Sequence, residues 1–122
     1  ILFLSMAFFF FFSCFTMTAL RRDVVETNVQ GLDLKHVKKS IQKGAAERGW
    51  TLNESKGNSF IAELKEREHY VKVSISYAVD SIKISYVDSK NMNYNGNKIH
   101  KKYHKWVSAL LRSIKKNQQT SA

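Results

Sequence analysis

The chain has 122 residues, with 20 Lys and Arg against 10 Asp and Glu, a net charge of +10, one cysteine and no proline. Setting aside an apolar leader leaves roughly 100 residues, enough for one small domain and too few for two. The single cysteine excludes an internal disulfide and a Cys-rich zinc site. The positive balance favours anionic partners: nucleic acid, acidic lipid head groups, lipopolysaccharide or anionic glycans. A second account of the charge stands beside that one, because the mix of Lys, Asn, Ile, Ser and Tyr is also what an AT-rich genome encodes.

In chain order, the first segment is "ILFLSMAFFFFFSCF", apolar on every side, so no amphipathic face can be drawn on it. The stretch before Cys14 has the length of a secretory apolar core. It ends in Phe11-Phe12-Ser13-Cys14. Small Ser13 before Cys14 resembles a bacterial lipobox, in which the cysteine receives a diacylglyceryl group and becomes the first residue after cleavage. Acyl chains then hold the protein to a bilayer at about 0.8 kcal/mol per buried CH₂. Phe11 and Phe12 depart from the usual Leu and Ala/Ser of that motif. Two alternatives stay open. Residues 1–20 could be an uncleaved anchor with Arg21 and Arg22 at its cytoplasmic edge. An ordinary signal peptidase could cut near Thr18-Ala19. The expected organisation is a signal peptide over 1–14, a tether over 15–31, a domain over 32–117 and a tail over 118–122.

The domain begins at Asp33, a good N-cap. Leu34, Val37, Ile41 and Ala45 then recur on one helical stripe, with Lys35, Lys39 and Lys43 opposite, and Gly49 closes the helix. Four strands follow by period-2 alternation: Trp50 to Glu54, Ser59 to Lys65, Tyr70 to Tyr77 and Ile82 to Val87. Their links are too short for parallel crossovers, which predicts an antiparallel meander. One face is apolar (Phe60, Ala62, Leu64; Val71, Val73, Ile75, Tyr77; Ile82, Ile84, Tyr86). The other carries Glu63, Lys65, Lys72, Ser74, Ser76, Lys83 and Ser85 and is expected to face water. "DSKNMNYNGN" is a loop turning at Asn95-Gly96. The last helix is expected over Lys98 to Lys116, with Ile99, Tyr103, Trp106, Val107, Leu110 and Ile114 inward and a row of Lys and Arg outward. The fold class is therefore α+β: a two-layer sandwich, a four-stranded antiparallel meander with an N-terminal and a C-terminal helix on one face.

Three stretches carry a family likeness: "RGW" at Arg48 to Trp50, "SISYAVDSIKISYVDSKNMNY" at Ser74 to Tyr94, and "IHKKYHKWVSAL" at Ile99 to Leu110. They resemble uncharacterised small lipoproteins of the Gram-negative envelope over about residues 33–114. The resemblance implies a lipobox cysteine, Cys14, and no established activity. His104 stands where that family usually has Asn.

On chemistry, His100 and His104 at i, i+4 would suit zinc if both lay on one helix. Lys101 and Lys102 between them repel a cation, no carboxylate intervenes, and rim histidines making local hydrogen bonds are the expected outcome. No Gly-x-Ser-x-Gly elbow and no Gly-rich phosphate loop occurs; Gly44, Gly49 and Gly57 are scattered. No catalytic residue, metal or cofactor is expected. Nucleic acid is a weaker partner, because the outward strand positions lack the stacking aromatics of RNA platforms. The expected site is an anionic-surface contact through Lys101, Lys105, Arg112 and Lys116. It would serve an exported, lipid-anchored module facing the periplasm, with the outer membrane slightly favoured. A membrane-anchored basic nucleic-acid-binding module is the alternative.

Overall fold

The computed structural model describes residues 17–19, 23–26 and 33–120. In chain order the elements are β1 (Met17–Ala19), β2 (Asp23–Glu26), α1 (Leu34–Glu47), β3 (Thr51–Glu54), β4 (Ser59–Glu66), β5 (His69–Ala78), β6 (Ser81–Lys90), β7 (Lys98–His100) and α2 (Lys102–Thr120). The expected meander is present: β3, β4, β5 and β6 pair in sequence order, all antiparallel.

The register follows the alternation. Phe60 lies opposite Ile75, and Ile75 opposite Ile84; Ala62 lies opposite Val73, and Val73 opposite Tyr86. These rows form the buried face, where Phe60, Ala62, Val71, Val73, Ile75, Ile82 and Ile84 are almost wholly excluded from solvent. The pairing shifts between Lys72, opposite Asp88, and Val73, opposite Tyr86. Val87 is the extra residue of this bulge and is left 45% exposed. Without the bulge, Ser89 would take the outward position and Asp88 the inward one.

Both helices cover the same face. Val37, Ile41 and Ala45 of α1 join Tyr103, Val107, Leu110 and Ile114 of α2 in one core with the inward sheet residues. Asp33 caps α1 by accepting the His36 N–H at 2.8 Å. Gly49 takes φ +83° just beyond the helix, which lets the chain reverse into β3. Trp50, 5% exposed, follows as part of the core. Lys38 of α1 reaches Glu54 of β3 at 3.2 Å, a surface pair on the helix side of the sheet. The opposite face carries no helix among the described residues; Lys65 and Lys83 are exposed there, and Glu63, Lys72, Ser74, Ser76 and Ser85 are half-buried.

Four boundaries differ from the sequence expectation. The segment read as a tether contributes strands: β2 adds to β6 as a fifth strand, with Val24 opposite Ile84, and β1 pairs with β7 in a separate two-stranded sheet. β6 continues past Val87 to Lys90, because the bulge restores the pairing beyond it. Residues 98–100 are a strand, not the first turn of the last helix, since the His100 N–H is held by the Met92 carbonyl at 2.7 Å. Finally, α2 runs through the residues read as a tail to Thr120, with Asn117 and Gln118 buried.

Candidate functional site

Three of the four basic residues expected on the last helix share one face of it. Lys105, Arg112 and Lys116 stand at i, i+7 and i+11 on α2, one exposed stripe opposite the buried Tyr103, Val107, Leu110 and Ile114. Lys101 is exposed in the turn just before the helix. Cys14 lies outside the described residues.

The histidine pair is rearranged. His100 is on β7 and His104 on α2, so the two are not one helical turn apart. His100 instead lies beside His69, with ring centroids 5.4 Å apart, and Trp106 meets His69 edge-on at 6.0 Å. The Lys102 N–H donates to His100 Nδ1 at 3.2 Å, so the imidazole supplies an acceptor to an otherwise unpaired donor of the first helical turn. His69 Nδ1 donates to the Asn91 carbonyl at 2.8 Å, and Asn91 Nδ2 donates to the Glu68 carbonyl at 2.7 Å. Burial, then the neighbouring His69, Lys102 and Lys101, holds the His100 pKa below the ordinary histidine value. Among the described residues no group of three or more His, Cys, Asp or Glu side chains is placed to hold a metal ion.

A second feature was not singled out from the sequence as a site. Where α1 ends against α2, two adjoining cavities share Glu47, Arg48 and Ala109. One, of about 380 Å³, is completed by Arg112, Ser113 and Lys116. The other, of about 260 Å³, is completed by Trp50, Leu64, Glu66 and Trp106. The groove is possible because the helices meet closely. A Cβ built on Gly44 would lie 2.7 Å from the Ile114 backbone nitrogen, so only glycine fits at that point. Beyond it, Glu47 Oε1 accepts hydrogen bonds from Ser113 Oγ at 2.8 Å and Asn117 Nδ2 at 3.1 Å. Those two bonds, with lesser help from Lys116 and Lys43, draw the Glu47 pKa down. Arg48 and Arg112 have no carboxylate partner within salt-bridge distance among the described residues.

A larger concavity, about 530 Å³, lies over the turn from β6 to β7. Its lining is one run from Tyr86 to Tyr94 that contains Asp88 and contributes no cation to the cavity. For an anion it has the wrong sign; the interhelical groove has three cations at its mouth.

The groove unites residues from two of the sequence stretches noted above: Arg48 and Trp50 from "RGW", and Trp106 and Ala109 from the last helix. The signal available in the sequence is an arginine at the end of a helix beside a tryptophan, which alone says nothing about α2. No family model matches the chain, and no curated protein matches it. The likeness to small envelope lipoproteins therefore rests on the quoted motifs alone.

Proposed function

We propose that this is an exported envelope lipoprotein, anchored through Cys14, whose domain is a non-catalytic module that binds anionic lipid or lipopolysaccharide. The observation that carries the reading is the exposed stripe of Lys105, Arg112 and Lys116 on α2, with Lys101 at its head and no acidic residue after Asp88. A basic side chain held near an acidic bilayer contributes about 1 kcal/mol, so a row of four gives reversible docking that salt weakens.

The strand pairings are compatible with cleavage before Cys14. Cleavage before Cys14 leaves β1 and β2 in the mature chain, paired with β7 and β6. A cut near Thr18-Ala19 would divide β1, and a helical span continued to Leu20 would have to give up its pairing.

The test of docking uses the full-length chain in zwitterionic nanodiscs, with capture of separate phosphatidylglycerol vesicles as the readout. Capture is expected, and is lost when Lys101, Lys105, Arg112 and Lys116 are replaced by Glu. Capture unchanged by those substitutions would refute the reading. For the anchor, radiolabelled palmitate enters the wild type and not Cys14→Ala; label retained in the variant contradicts lipidation at Cys14.

A further inference from the structure

The exposed basic stripe accounts for attraction to an acidic surface but not for the groove beside it. The groove has two unlike halves. Arg48, Arg112 and Lys116 gather at one end, and Trp50, Leu64 and Trp106 form an apolar shelf at the other, with Glu66 at its edge. Arg48 lines both halves. Trp50 is almost wholly buried, while Trp106 is half-buried.

We propose that this groove is a binding subsite for a phosphorylated sugar. Guanidinium groups bind phosphate through paired, charge-assisted N–H donors, and the arginines at positions 48 and 112 are not engaged by carboxylates among the described residues. Glu47, next to Arg48 in sequence, accepts hydrogen bonds from Ser113 and Asn117 across the helix junction. It stays in place as part of the scaffold and leaves the arginines' forks for the ligand. The half-buried Trp106 indole suits the apolar C–H face of a pyranose ring, and the Glu66 carboxylate is an acceptor for its hydroxyls. Cavities of about 380 and 260 Å³ joined end to end fall in the range of small-ligand sites, typically about 300–1,000 Å³. Inorganic phosphate would use only the cationic half, and a neutral sugar only the shelf. A ligand with a ring and a phosphate uses both.

The inference deepens the envelope reading and rests on it for the natural source, the phosphorylated sugar head group of a glycolipid; the shared chemistry is also that of a free sugar phosphate. The two tryptophans of the chain both line the groove, so intrinsic fluorescence reports on it directly. Full-length protein in zwitterionic detergent is titrated with glucose 1-phosphate, glucose and inorganic phosphate by calorimetry, with fluorescence followed on the wild type. In parallel, nanodisc-held protein is offered phosphatidylcholine vesicles with and without lipid A.

Glucose 1-phosphate is expected to bind saturably and to perturb the tryptophans, with glucose and inorganic phosphate each weaker by about tenfold or more, which is about 1.4 kcal/mol. Arg48→Gln combined with Arg112→Gln should weaken sugar phosphate by at least about tenfold, the scale of a lost charge-assisted hydrogen bond. Trp106→Phe should weaken it several-fold, and Lys65→Gln on the far sheet face should not change it, with circular dichroism confirming the fold of each variant. Absent binding, equal affinity for sugar phosphate and inorganic phosphate, or an equal loss in Lys65→Gln would each overturn the assignment. Binding of the free sugar phosphate without lipid A capture assigns the site to a soluble ligand; capture that the Arg48/Arg112 double variant abolishes assigns it to a glycolipid. Phosphatidylglycerol vesicles captured through Lys101 and Lys105, which lie outside the groove, with no sugar phosphate bound, would leave the surface reading standing and remove this one.

Discussion

Gly44 and His100 each have a chemical reason for their identity. At Gly44 two effects oppose. Alanine in a helix interior gains about 1 kcal/mol over glycine from backbone entropy. The added Cβ would meet backbone atoms of Ile114 at 2.7 and 2.8 Å, which cannot swing aside as a side-chain tip could. Overpacking of that kind costs about 1–3 kcal/mol, so the clash wins. Gly44→Ala is expected to lower the unfolding free energy by roughly 0–2 kcal/mol, read as a lower urea midpoint. A gain of stability would mean that the helices do not touch there. His100 gives a pH dependence. Its pKa is held below the ordinary 6.5, so the folded state takes up a proton less readily than the unfolded chain. Its contribution is complete above that value and is lost as pH falls through 6.5 toward the lowered pKa. Protonation also removes the Nδ1 acceptor that receives the Lys102 N–H. The melting temperature should therefore drop between pH 7 and pH 5, and His100→Asn, which does not titrate, should flatten that drop. An identical pH profile in the variant would contradict the assignment. Tyr70 is the alkaline counterpart. Burial first, then its hydrogen bond to Glu63, pushes its pKa up to about 12. In a spectrophotometric titration Tyr70 should ionise above the ordinary tyrosine range, and Tyr70→Phe should remove that late phase.

Elements were legible where one physical signal dominated. The stripe of Val37, Ile41 and Ala45 after a capping Asp33 marks α1, and the two-residue alternation marks β4 to β6; each pattern has a single burial solution. The errors fall where long-range pairing overrides local pattern. Ile99 fits the helical stripe of Tyr103 and Trp106, and it is buried, but as part of a strand in which the His100 N–H bonds the Met92 carbonyl and whose partner is β1. Nothing local in Asp23–Glu26 announces a strand, because its reason is the open edge of β6. Hydrogen exchange tests this element directly. The β6 amides that face β2, those of Ile82 and Ile84, should be protected, and Val24→Pro, which removes the donor opposite Ile84, should expose them. Unchanged protection would show that β2 does not pair there. The basic stripe at positions 105, 112 and 116 was readable because helical spacing alone defines it. The groove was not, since it joins residues from the end of α1, from β4 and from α2.

At the scale of the molecule, one layer of helices over one sheet divides the surface by chemistry. The far sheet face mixes Glu63, Lys72, Ser74 and Ser76, both signs and small polar groups. The helix layer carries the stripe of Lys105, Arg112 and Lys116, and its junction holds a groove with arginine at one end and tryptophan at the other. On the function proposed above, α2 and the end of α1 are the surfaces that would meet anionic head groups. The most direct measurement is amide and indole chemical-shift mapping of the full-length chain in zwitterionic micelles as short-chain phosphatidylglycerol is added. The account predicts shifts centred on Arg48, Lys105, Ala109, Arg112, Ser113 and Lys116, fading as salt rises. Shifts centred on Ser74, Ser76 and Ser85, or on the Tyr86 to Tyr94 turn, would contradict it.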